Sequence, residues 1–239
     1  ARLGYKEDSA EGYVVDLLNR LRPLLKQKHQ IELGPIEFFP WRRAIQIASN
    51  DENTLFFSLS RTVQREDNFK WLAEVSPYSQ AIFSLSNEDT FFGPETLTNW
   101  QALAESKKIL AVQSGSQLES FVANELLMKD DQLYPVSHYL TAIIMLFAGR
   151  IDYIPLTAFL ANGTLCRSGF PSDRLKLNFA IDEFAKPLWI AFSNSTHEGL
   201  VEITKQEVLA LTQSNWYKNH QKQTIDEWNL MQCKQFAKQ

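Results

Sequence analysis

Apolar side chains fall at Val14, Val15, Leu17, Leu18, Leu21, Leu24 and Leu25, with Asp16, Arg20 and Arg22 set between them. The spacing gathers the apolar groups on one stripe and predicts an amphipathic helix over residues 13–25. Residues 30–39 alternate and are rich in Ile, Leu and Phe, so they read as a strand. Pro40 then opens a second helix over 41–48, at the position where a missing N–H costs nothing. Residues 54–60, Thr-Leu-Phe-Phe-Ser-Leu-Ser, make a short buried strand that ends in a hydroxyl-bearing turn.

The same reading continues to the end of the chain. Strands are predicted over 79–86, 108–112, 132–136, 151–154, 175–180 and 187–192. Helices are predicted over 98–106, 117–128, 138–148, 157–162, 198–212 and 223–234. Strands that alternate with helices throughout imply α/β layers with mostly parallel pairing. The sequence has no internal repeat, low-complexity tract or Pro/Gly-rich linker. If there are two lobes, the chain passes between them through strands.

A length of 239 residues suits one large domain or two modest ones with real cores. The net charge is -4 and no basic block stands out, which argues against a nucleic-acid partner. The longest apolar stretch, 142–148, falls far short of the about 18 residues a membrane span needs. The chain opens at Ala1 with no charged and apolar leader. That fits a mature protein freed of its signal peptide, an excised domain or a cytosolic start. Cys166 and Cys233 are read as two free thiols, with one disulfide as the alternative, and match no metal spacing.

The candidate chemistry lies in two polar turns. Ser58-Leu59-Ser60-Arg61-Thr62-Val63-Gln64-Arg65-Glu66 follows the carboxyl end of a buried strand, the edge where ligands collect in open α/β sheets. Hydroxyls and N–H groups there can cup an anion, and a fixed guanidinium can grip a carboxylate with two bonds. The plainer reading is a charged loop with Arg61 and Arg65 in solvent. Val112-Gln113-Ser114-Gly115-Ser116-Gln117-Leu118-Glu119 is a strand-turn-helix junction whose helix N-terminus suits an anion. Ser116 with Glu119 equally forms a capping box that needs no ligand. Trp41 is either core packing or a flat wall for a ligand. His29, His138, His197 and His220 show no metal spacing, and no nucleotide-binding glycine motif, nucleophile elbow or marked acid/base couple occurs. No cofactor, no metal and no catalytic residue is therefore expected.

Other segments complete a pattern: Gly12-Tyr13-Val14-Val15-Asp16-Leu17-Leu18, Pro40-Trp41-Arg42-Arg43-Ala44, Phe69-Lys70-Trp71, Gly149-Arg150-Ile151-Asp152 and Pro187-Leu188-Trp189-Ile190-Ala191-Phe192-Ser193. In order and spacing, together with the two turns, they resemble the extracytoplasmic solute-binding proteins of family 3, the amino-acid-binding type. The resemblance implies the α/β type II periplasmic binding fold, with two lobes, each a mostly parallel sheet flanked by helices, and a ligand cleft between. Lobe 1 would comprise residues 1–85 and 187–239 and lobe 2 residues 86–186, with hinge strands near 83–85 and 187–189.

The resemblance also implies a site. Arg65 would clamp a carboxylate with Ser58, Ser60 and the turn at Ser116 and Gln117, Trp41 would stack on the ligand, and Tyr5 would supply a further aromatic. Thr157 falls where members place an acidic residue against the ligand's ammonium, so a neutral hydroxyl there leaves an amine without its charge partner. Asp152 is read as structural. The implied protein is a periplasmic monomer, not an enzyme, its signal peptide removed, that delivers a small polar solute to the membrane permease of an ABC transporter. The alternatives are a sensing module of a membrane receptor and a lyase-type enzyme on the same fold.

Overall fold

A computed structural model describes residues 11–86, 97–126 and 128–233. The helices are α1 (Tyr13–His29), α2 (Trp41–Asn50), α3 (Trp100–Glu105), α4 (Gln117–Asn124), α5 (Tyr139–Phe147), α6 (Ala161–Arg167), α7 (Glu198–Gln213) and α8 (Asn215–Leu230). The strands are β1 (Leu55–Ser60), β2 (Phe69–Ser76), β3 (Gln80–Leu85), β4 (Leu110–Gln113), β5 (Leu133–Val136), β6 (Ile154–Thr157), β7 (Leu175–Ile181) and β8 (Leu188–Ser193).

β8 lies between β1 and β2, antiparallel to both, and β3 lies between β6 and β7, again antiparallel to both. β4 and β5 pair in parallel, and a parallel bridge from Leu110 to Tyr153 links them to the strand region before β6. The expected mostly parallel pairing is thus corrected, since among the described residues four of the five ladders are antiparallel. Parallel neighbours arise where a short helical crossover joins them, as α4 joins β4 to β5. β8 instead returns after the whole second sheet has been built, and no crossover helix fixes its direction.

Each sheet is covered on both faces. Leu17, Leu21 and Leu25 of α1 are fully buried against Leu72, Val75, Ile190 and Phe192 of the first sheet, together with α7 and Tyr217. Each such side chain contributes about 1.5–3 kcal/mol by leaving water. The other face carries α2, through Ala48 against Leu59, Phe69 and Ala191. The second sheet packs α5 and α6 on one side and α3 and α4 on the other. The chain leaves the first sheet at Ser76, enters the second at Gln80, and returns between Ile181 and Leu188.

Five sequence expectations change, the first being the helix expected over 157–162, where Thr157 ends β6, Ala158–Leu160 makes a 3₁₀ turn and the α-helix runs Ala161–Arg167. Residues 30–39 form no strand: α1 runs on to His29, Gln30 ends it in the left-handed region, and Gly34-Pro35 interrupts any ladder. The alternation there serves packing, because Ile31, Leu33 and Ile36 lie against the first core. β2 went unrecognised since two register shifts, between Trp71 and Ala73 and between Glu74 and Ser76, break the period of two. β6 occupies Ile154–Thr157 rather than 151–154 and contains Pro155, which an edge strand tolerates. α8 starts at Asn215, before the predicted 223, because the Ser214 side chain caps it by accepting from the Tyr217 N–H at 3.2 Å.

The free-thiol reading is also overturned, as Cys166 and Cys233 form a disulfide. Among the described residues no helix is long and apolar enough to cross a membrane.

Candidate functional site around Arg65

The first polar turn begins inside β1. The register of β1 on β8 slips between Phe56 and Leu59, and Ser58 takes a left-handed φ of 60° within that slip. A bulge of this kind re-aims a side chain, and a left-handed non-glycine residue costs of order 1–3 kcal/mol. Past β1, Val63–Asn68 winds into a short 3₁₀ helix, in which the Arg65 N–H donates to the Thr62 carbonyl at 3.0 Å. The Arg65 side chain folds back, and Nη1 donates to the Ser60 carbonyl at 3.2 Å.

The two arginines of this turn differ. Arg61 Nε donates to Glu66 Oε2 at 2.9 Å and Nη2 to the other carboxylate oxygen, while the guanidinium lies 4.7 Å from the Trp189 ring centre and 5.4 Å from that of Trp71. The hydrogen bond to Arg61 holds the Glu66 carboxyl below the usual carboxylate range. Arg65, by contrast, is half-buried and has, among the described residues, no ion pair. Burial lowers its pKa, opposed by the neighbouring Tyr78 phenol.

Tyr78 lies in the connection between the sheets, and burial holds its pKa well above the ordinary phenol value. Nearby Tyr139 pushes it further and Arg65 opposes. Tyr139 opens α5; burial pushes its pKa up to about 12, against the effect of a 3.3 Å hydrogen bond donated by Gln80 Nε2. Gln80 in turn sits opposite Thr157 in the β3–β6 ladder. Arg65, Tyr78, Tyr139, Gln80 and Thr157 therefore form one polar path from the first sheet into the second. Tyr78, Tyr139 and Gln80 escaped sequence reasoning, since a tyrosine in a connection or at a helix start carries no motif.

The second turn is engaged with itself. The Ser116 hydroxyl accepts from the Glu119 N–H at 3.1 Å, and Glu119 Oε2 accepts from the Gly115 N–H at 2.7 Å. Gln117 follows as the half-buried first residue of α4. Gly115 has a φ of 77°, which strains any residue with a side chain, and a Cβ there would press on the Arg42 β-carbon of α2 at 3.3 Å. That approach brings the start of α2 to the mouth of the second turn. Trp41, at the start of α2, packs on Phe56 at 5.7 Å between ring centres, in the core with Leu59 and Phe69. Its buried indole N–H has no hydrogen-bond partner among the described residues. Tyr5 lies outside the described residues. A groove of about 620 Å³ is lined by Arg61, Trp71, Glu74 and Trp189 with Lys205 and Lys218, and Arg65 takes no part in it.

No family model and no curated protein matches this sequence. Solved structures do. An ancestral arginine-binding protein bound to glutamine is similar at a TM-score of 0.72 and 16% identity, over 93% of this chain and 92% of that one. A Salmonella typhimurium periplasmic binding protein of high arginine specificity follows at 0.71 and 13%, over 92% of both chains. A histidine kinase sensor domain with similarity to periplasmic binding proteins also reaches 0.71, at 12% identity, over 89% of this chain and 85% of that one. The chain thus has the two-lobed α/β fold of periplasmic binding proteins.

Proposed function

We propose that this chain is a solute-binding protein that holds a small carboxylate-bearing solute, an amino acid or related organic acid, between its two lobes. The observation that carries the reading is Arg65, a half-buried guanidinium with no ion pair among the described residues and a phenol as its neighbour. A partly buried cation without an anion is costly, and a carboxylate entering beside it restores the charge balance through two parallel hydrogen bonds. Ser58 and Ser60 lie beside that position in sequence, and Trp41, packed on Phe56, is assigned the wall of the cleft. The turn at Ser116 and Gln117 borders the ligand from the second lobe, with the Ser116 hydroxyl itself committed to capping α4, and Thr157 is assigned the ligand's far end.

The lobes are read as the two sheets with their helices. Because β3 pairs with β6 and β7, we place hinge motion in the connections 77–79 and 182–187 rather than in residues 83–85 and 187–189. Closure is then a population shift set by the ligand's preference for the closed state. The reading is of a binding protein, not an enzyme. Its partner is an ABC permease, and its place is an oxidising extracytoplasmic compartment such as the periplasm, where the disulfide is at home. The likeness to a kinase sensor domain supports a second reading, in which the same cleft reports the solute to a signalling module.

Isothermal titration against amino acids, organic acids and their neutral amides tests the ligand class. Carboxylates should bind and their amides should not. Equal binding of a carboxylate and its amide, or no binding by any carboxylate, would overturn it.

A further inference from the structure

α8 touches both halves of the molecule, packing on α1 and α7 on one side and on α6 with the turn 158–160 on the other. Its two ends are fixed by different chemistry. Near the start, the buried Tyr217 hydroxyl donates to the Val75 carbonyl at 2.5 Å, and Gln221 Nε2 donates to the same oxygen at 3.1 Å. Val75 is the residue before Ser76, where the chain leaves the first sheet. Tyr217 also meets Tyr13 edge-on at 6.2 Å, and His220 Nε2 lies 2.7 Å from Asp16 Oδ2 of α1.

The other end belongs to the second half. The Trp228 ring lies so close to Gly163 of α6 that a Cβ there would come within 2.5 Å of it. Arg167 covers the same ring at 4.7 Å, and Asn162 Nδ2 donates to the Asn229 carbonyl at 3.2 Å. Just beyond the helix, Cys233 is bonded to Cys166, and its backbone N–H and carbonyl pair with Ser172 at 3.2 and 3.0 Å. Residues Ala161, Leu165 and Phe170 seat this anchor in the core of the second sheet.

Resting on the two-lobe reading above, we propose that α8 is a third tether between the lobes, locked to the second by the Cys166–Cys233 disulfide, which limits how far the cleft opens. Two connecting segments alone permit rotation about the line between them. A helix gripped at both ends adds a strut of fixed length, roughly 10 Å between Gln221 and Trp228 at 1.5 Å per residue. Wide opening then requires one grip to release. The disulfide decides that the grip on the second lobe holds, so the open state is disfavoured and ligand affinity is raised.

The test uses small-angle scattering of the full, ligand-free chain, oxidised, against Cys166→Ser/Cys233→Ser. The variant should show a larger radius of gyration and bind the titrated carboxylate about three- to tenfold more weakly, since closure starts from a more open ensemble. Saturating carboxylate should return both proteins to one radius. If the double variant does not fold, Tyr217→Phe/Gln221→Ala, which frees the opposite end with the disulfide intact, should broaden the ensemble in the same way. An unchanged radius and affinity in a folded variant overturns the tether. Failure of every carboxylate to compact the oxidised protein instead overturns the ligand reading, while the ligand-free radii still judge the tether.

Discussion

The turn at Arg65 and the turn at Ser116 have the same ingredients in sequence: hydroxyls, charges and the start of a helical segment after a strand. They end differently. Ser116 accepts from the Glu119 N–H of α4 and Glu119 from the N–H of Gly115, so their polar atoms serve the helix itself. In the other turn the Arg65 guanidinium is half-buried with its charge unmatched, while Arg61 is engaged by Glu66 and two indoles. A polar turn points to a ligand when its strongest donor is drawn partly out of solvent with no anion in the turn to match its charge, as at Arg65, whose one bond within the turn goes to the neutral Ser60 carbonyl.

The largest effect that tests this contrast comes from Arg65→Ala. Removing a buried, charge-assisted partner costs about 2–5 kcal/mol of binding, so affinity for the titrated carboxylate should fall by about 30-fold or more. Arg65→Lys should recover little, because a point charge lacks the planar fork. Titration calorimetry on both variants decides. Equal losses for Arg65→Ala and Ser116→Ala would erase the distinction between the turns.

Alkaline unfolding comes next. Tyr139 has a folded-state pKa of about 12, raised first by burial, above the ordinary phenol value of about 10. The folded state therefore holds its proton longer than the unfolded chain does. Stability from this group is fully present below pH about 10 and is lost as the pH climbs toward about 12. Tyr78, next to both Tyr139 and Arg65, is shifted in the same direction, so the two phenols are neutral under ordinary conditions. Thermal melts across that range should show a steep fall that is shallower in Tyr139→Phe. A melt profile unaltered by the substitution would separate Tyr139 from the buried path.

Much of this contrast was legible beforehand, and for identifiable reasons. Helical stripes such as that of α1 report burial directly, and eleven of the strands and helices after residue 40 lie where the periodicity places them. Strand β2 was not legible, because its bulges shift the register on β8. The capping box at Ser116 was legible, since its partners are three residues apart. The fate of Arg65 against Arg61 was not, because it depends on Tyr78 and on Trp71 and Trp189, which only tertiary packing brings near. The Cys166–Cys233 bond was hidden likewise, since α8 must first cross to α6 before the sulfurs can meet.

Ser116→Ala examines the other side of the contrast. Loss of an N-cap costs about 0.5–2 kcal/mol, which for a chain of this size lowers the melting midpoint by roughly 2–4 °C per kcal/mol. Carboxylate affinity should stay within about threefold, because the hydroxyl already accepts from Glu119. Calorimetric melting with titration separates the two quantities. A large affinity loss with an unmoved midpoint would place Ser116 on the ligand.

The smallest effect is expected from Arg61→Ala, and it is the closest control for Arg65. Arg61 and Glu66 are both substantially exposed, so solvent screens their pair to very little, and the indole contacts set the range at about 0.5–1 kcal/mol. Stability should shift within that range and carboxylate affinity within about twofold. Both arginines carry the same charge and stand four positions apart in one turn. If the carboxylate were held by the net charge of the loop, the two substitutions would weaken binding alike and 0.5 M salt would abolish it. If it is held by the buried fork, only Arg65→Ala matters and salt has little effect, because a desolvated pair is poorly screened.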